Sequence, residues 1–119
     1  MKQLNYLETM KAELRALCRL KKKELISGPF INENGQCCAV GALDAHLGNK
    51  NAFPKLLREM YYSHKVACNG EARSALIQTN EYFHTSINSP AIRRARYQAV
   101  YDFVVNEIKR LTGKKPVFN

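Results

Sequence analysis

The sequence predicts an all-α protein, a single small bundle of about five helices over residues 1–119. Three observations predict it. Apolar residues recur at helical spacing near both ends of the chain, as Leu7-Met10-Leu14-Leu17 and as Tyr97-Val100-Tyr101-Val104-Ile108-Leu111. Prolines and glycines stand singly where those segments should start or stop. Only one stretch, YFHTSI over 82–87, alternates as a strand does, and a lone strand has nothing to pair with.

The first helix is predicted from about Asn5 to Ile26, with Leu7, Met10, Leu14, Leu17, Cys18 and Leu25 in one sector. Lys11, Arg15, Arg19 and Lys22 line up beside that stripe, while Lys21 falls inside it, so its stem must snorkel outward or the helix must loosen there. Ser27-Gly28-Pro29 is the stop signal. A loop follows, with Phe30 and Ile31 turned inward and Asn34-Gly35 as its turn, around which a short two-stranded ribbon can form. Cys37 to Leu47 is apolar almost all round, the pattern of a buried helix, and Gly48-Asn49 ends it. Pro54 suits the first turn of a helix over 54–62, and Glu71 to Thr79 reads as another short helix. The last helix is capped by Ser89, started by Pro90 and ended by Gly113. Phe103 and Val105 widen its apolar face, which predicts a central position. The expected arrangement is two long basic helices around shorter apolar ones.

Hydrophobic residues make up 45% of the chain, enough for one modest core and too many for a disordered chain. No apolar run is long enough to span a bilayer, and the first residues carry no apolar signal core. The expectation is a cytoplasmic protein with reduced thiols at Cys18, Cys37, Cys38 and Cys68. The net charge of +9 is concentrated at the ends. Residues 1–25 hold seven Lys/Arg against three acids, and residues 90–119 hold seven against two, whereas the middle is neutral. Packed side by side, the two ends would form one basic surface suited to nucleic acid or to an acidic protein face.

Cys37-Cys38 at a helix start admits three chemistries. A helix N-terminus favours a thiolate nucleophile, and GQCCAVGAL resembles the layout of papain-like hydrolases at a few positions, with His64 or His84 as base and Asn88 to orient it. Papain-like sites place the histidine on a sheet, however, and this chain offers one strand at most. Zinc could take Cys37 or Cys38, Cys68, and His64 or His46, but zinc modules space paired ligands two to four residues apart and adjacent cysteines reach one ion poorly. The third reading is packing, since free cysteine behaves as a small hydrophobe and CCAVGAL is a run of small side chains. Packing is the reading adopted. It implies a protein with no catalytic residues, no metal and no cofactor.

Arg93, Arg94 and Arg96 open the last helix, where positive charge opposes the helix dipole. That cost points to a use in gripping an anionic partner. Only Arg93 falls within the apolar sector, so at least two of the three should be exposed. Together with Arg15, Arg19 and Lys22 they form the expected partner-binding set. The aromatic residues considered for base stacking, Tyr61, Tyr62, Tyr82 and Phe83, lie in the neutral middle, which favours a protein partner over nucleic acid.

Gly35-x-Cys37-Cys38-x-x-Gly41-x-Leu43, then LIQTNE over 76–81, then an Arg-rich last helix bearing aromatics, resembles small proteins of phages and other mobile elements. Asn80-Glu81 departs from the Asn-Asp more usual there. The resemblance implies a helical fold and a phage or mobile-element origin, but no activity. Stand-alone proteins of that kind often occlude a host or defence complex. The leading expectation is therefore inhibition by protein–protein binding. The alternatives are a nucleic-acid-binding protein and a small cysteine hydrolase.

Overall fold

The computed structural model describes residues 2–28, 31–32, 34–48, 66–81 and 88–116. Helix α1 (Tyr6–Arg19) starts where Asn5 can cap it. The Asn5 side chain accepts from the Glu8 N–H at 2.8 Å, and the Glu8 carboxylate accepts from the Asn5 N–H at 3.0 Å, closing a capping box. Met10, Leu14 and Leu17 are buried on the face their spacing predicts.

The helix stops at Arg19, well short of Ile26. Another turn would carry Lys21 into the apolar face. Leu25 and Ile26 are buried nonetheless, but as extended chain. The Leu25 N–H donates to the Arg93 carbonyl and the Ile26 N–H to the Cys37 carbonyl, both at 3.0 Å. A helix through Ile26 would direct those N–H groups inward and forgo both bonds. Lys21, Lys22 and Lys23 lie on the unwound connection. The Lys23 ammonium donates to the Cys18 and Leu20 carbonyls at 3.2 and 3.3 Å, which covers the negative end of α1.

An antiparallel bridge between Ile31 and Cys37 closes around the turn at Asn34-Gly35, where Gly35 takes φ +77°, a left-handed value that favours glycine. Helix α2 (Ala39–His46) begins after both cysteines, with Cys38 as its cap. The Cys38 sulfur accepts from the Gly41 N–H at 3.4 Å. Helix α3 (Gly70–Asn80) is capped by Asn69, which accepts from the Ala72 N–H at 3.0 Å. Helix α4 (Pro90–Thr112) has the predicted boundaries, with Ser89 accepting from the Ile92 N–H and Gly113 ending it at φ +76°. A two-residue parallel ladder, β1 (Lys2–Gln3) with β2 (Val66–Ala67), ties the start of the chain to the segment before α3. The described residues thus form four helices and this short ladder, an all-α fold. The predicted helix over 54–62 and strand over 82–87 lie outside the described residues.

Helix α1 packs against all three other helices, and α4 packs against α1 and α3. Among the described helices the central one is therefore α1 rather than α4, and the two long helices lie on each other instead of enclosing the shorter ones. Met10, Leu17, Val40, Leu43, Leu76, Val100 and Val104 are fully buried at this junction. Each large side chain buried there contributes about 1.5–3 kcal/mol. Two tyrosines fasten the pair. The Tyr97 hydroxyl donates to the Leu17 carbonyl at 2.9 Å, and the Tyr6 hydroxyl donates to the Glu107 carboxylate at 2.5 Å. No described helix is long and apolar enough to cross a membrane.

Candidate partner-binding surface

Spacing of four residues sets Lys11, Arg15 and Arg19 in a row along α1. The direct packing of α1 on α4 brings the far end of α4 beside that row. Past the left-handed turn at Gly113, Lys114 and Lys115 face it across a hollow of about 630 Å³. Leu14, Cys18, Ile108 and Pro116 also line the hollow, with His46 from α2 and Thr112. Among the described lining residues five are Lys or Arg and none is acidic. Like charges gathered along a concave wall raise the local potential more than the same charges scattered.

His46 closes one side of this groove. The Arg19 guanidinium donates to His46 Nδ1 at 3.3 Å, so that nitrogen is the acceptor. Partial burial, and then the cationic Arg19 and Arg15, hold the imidazole below its ordinary pKa.

The six sequence-predicted contact residues separate into different roles. Arg15 and Arg19 are exposed on the groove. Lys22 is exposed on a second hollow, shared with Lys21, Glu24 and Arg93. Arg93 is already engaged, with its Nε 2.8 Å from the Glu24 carboxylate and its Nη1 donating to the Asn88 carbonyl. Glu24, from the connection after α1, supplies the acid that the first turn of α4 lacks. Arg94 is exposed on a third hollow, lined by Cys18, Lys23, Tyr97, Gln98 and Tyr101.

Arg96 corrects the expectation of exposure, because it is completely buried. Its Nε donates to the Asn80 carbonyl, and its Nη1 donates to the Leu25 carbonyl and to Asn88 Oδ1, each at 3.0 Å. Asn80 extends the network, accepting from the Ala39 N–H at 2.9 Å and donating to the Ile26 carbonyl at 3.0 Å. Glu81 supplies negative charge nearby, and its oxygens accept from the Ser27 hydroxyl at 2.5 Å and the Gly28 N–H at 3.2 Å. Arg96 therefore joins the connection after α1 to the end of α3 and the start of α4, and cannot reach a partner. Lys114 and Lys115 belong to the groove although the predicted set omits them. Their signal was the Gly113 cap, which turns the chain back beside α1.

The cysteine pair sits in a seam. Cys37 and Cys38 are buried. Burial above all pushes the Cys37 thiol up to about 12 and the Cys38 thiol up to about 11, the opposite of an activated nucleophile. His64 and His84, the sequence-predicted bases, lie outside the described residues. Asn88 accepts from the Ser27 N–H and from Arg96. Among the described residues no group of three or more His, Cys, Asp or Glu side chains could hold a metal ion. One further acid is buried where the pattern gave no warning. Glu13 is fully enclosed, with no hydrogen-bond partner for either oxygen among the described residues, and its pKa is raised by burial, by Asp44 and by Cys68. Asp44 is paired with Arg73 at 3.2 Å.

Comparison with known protein families, curated proteins and solved structures finds no match for this chain.

Proposed function

We propose that this is a small, non-enzymatic binding protein that docks an acidic protein surface in the groove between α1 and the end of α4. The observation that carries the reading is the convergence of Lys11, Arg15, Arg19, Lys114 and Lys115 on one hollow with no acid among its described lining residues. The resemblance to phage and mobile-element proteins makes a host or defence complex the proposed partner, held in an inhibited state. A cytoplasmic setting belongs to the same reading. The test is a charge reversal on both banks of the groove, Arg15→Glu with Lys114→Glu. It should leave the melting temperature unchanged and abolish capture of the partner from a nuclease-treated lysate.

A second reading, nucleic-acid binding, has its own observation. Tyr101 lies half-exposed in the hollow that holds Lys23 and Arg94, and Cys18 lines both that hollow and the groove. A ring beside two cations is a platform on which a base can stack. Affinity for random duplex DNA and for RNA at ~150 mM salt separates the two readings. Non-specific contacts give dissociation constants of about 10⁻⁴–10⁻⁶ M there, and nanomolar binding would favour the second.

A further inference from the structure

Beside the basic groove lies a smaller hollow of about 270 Å³. The C-terminal half of α1 forms one wall, through Ala16 and Leu20, and α2 forms another, through Ala42 and Ala45. Ile31 and Cys37, the two residues of the antiparallel bridge, close the third side. The hollow is therefore framed by three elements that are fixed independently. The capping box holds α1, Cys38 and Asn80 hold the start of α2, and the bridge holds the loop. Its walls are aliphatic. Arg19 and His46 stand at the lip and also line the basic groove, so one pair of side chains borders both spaces.

We infer that this slot is an anchor pocket, and that the occupant of the combined site is an acidic protein segment carrying a single aliphatic side chain among its carboxylates. The inference rests on the proposed docking of an acidic protein in the groove, and it names the chemistry of the segment. Charge selects the groove's part of the ligand, because carboxylates offset the unopposed lysines and arginines. Shape and polarity select the slot's part. A few branched carbons fit its volume, its described walls offer no aromatic ring for a base to stack on, and Arg19 at the lip can pair with a carboxylate next to the inserted side chain. An aliphatic anchor in a preformed pocket with charged contacts around it is the usual division of labour in a binding site.

The experiment uses the full chain and two synthetic peptides, each a run of about fifteen Asp, Glu, Gly and Ser residues, one with a central Leu and one with Ser in its place. Binding is read by fluorescence anisotropy at about 50 and 150 mM salt. Burying the leucine should make the first peptide bind about tenfold tighter or more. The ratio should persist at the higher salt while both affinities fall, because screening weakens the charge contacts and not the apolar one. Ala45→Met, which fills the slot from a partly exposed position, should bring the ratio close to one. Equal affinity for the two peptides overturns the anchor pocket and leaves the basic groove standing. Failure of both peptides to bind overturns the groove reading and the anchor with it. Tighter binding of a single-stranded oligothymidylate than of the leucine peptide overturns the inference in favour of nucleic acid.

Discussion

Arg94 and Arg96 stand two residues apart and face opposite worlds. Arg94 is exposed, and Arg94→Ala should change stability by no more than about 0.5 kcal/mol. Arg96→Ala would strand the carbonyls of Asn80 and Leu25 and leave Glu81 without its buried counter-charge. Losing one member of a buried charged network costs about 3–5 kcal/mol, and urea denaturation of the two variants side by side measures the contrast. Glu13 gives a prediction of the opposite sign. Its folded pKa lies well above the unfolded value of about 4.3, so between those two values the folded state binds more protons than the unfolded state. Stability therefore declines as pH rises through that window. Glu13→Met, which removes the unpartnered carboxyl while keeping its length, should raise stability at pH 8 by about 1–3 kcal/mol and by much less at pH 4. A loss of stability at pH 8 would show that the carboxyl is better satisfied than its surroundings indicate.

At the level of elements, the start of α2 shows why two cysteines follow each other. Cys38 caps the helix through its sulfur, while Cys37 pairs with Ile31 in the bridge and its carbonyl accepts separately from the Ile26 N–H. Serine is a stronger cap than cysteine, so Cys38→Ser should be nearly neutral and Cys38→Ala should cost about 1 kcal/mol. Cys37→Ser must desolvate a hydroxyl at about 1–3 kcal/mol. Thermal melts of the three variants test that order, and equal losses at both positions would contradict it. The boundaries of α4 were legible because Ser89, Pro90 and Gly113 act on their own neighbours. The end of α1 was not, because it is set by the Leu25–Arg93 and Ile26–Cys37 bonds, whose partners lie far along the chain. The row Lys11-Arg15-Arg19 was legible as a helix face. The burial of Arg96 was not, since carbonyl partners contributed by separate segments leave no trace in local periodicity. Arg94 and Tyr101 share one face of α4 by helical spacing, so that pairing was legible; Lys23 joins them through tertiary packing.

For the whole molecule, the proposed docking in the groove would be sensitive to acid and to salt together. A bound anion offsets the cations that, with burial, hold the His46 imidazole neutral, so its pKa rises on binding and a proton is taken up. Affinity for an acidic peptide should increase as pH falls toward the lowered pKa of His46 in the free protein, below the ordinary value of about 6.5, and level off beneath it. His46→Gln should flatten that profile, and titration calorimetry in buffers of different ionisation heat would count the proton. A profile unchanged by His46→Gln would remove the imidazole from the site. The same affinity should fall steeply between about 50 and 200 mM salt, because the contacts are exposed charges.

The groove also joins the two extremes of the sequence, since one bank is built from residues 11–19 and the other ends at Lys114 and Lys115. During synthesis the first bank leaves the ribosome roughly a hundred residues before the second. Tyr6 cannot meet Glu107 before then either. A chain cut before Lys114 by stalling or proteolysis would carry only one bank of the groove. The proposed docking site is thus assembled only after both banks have emerged and α4 has packed on α1.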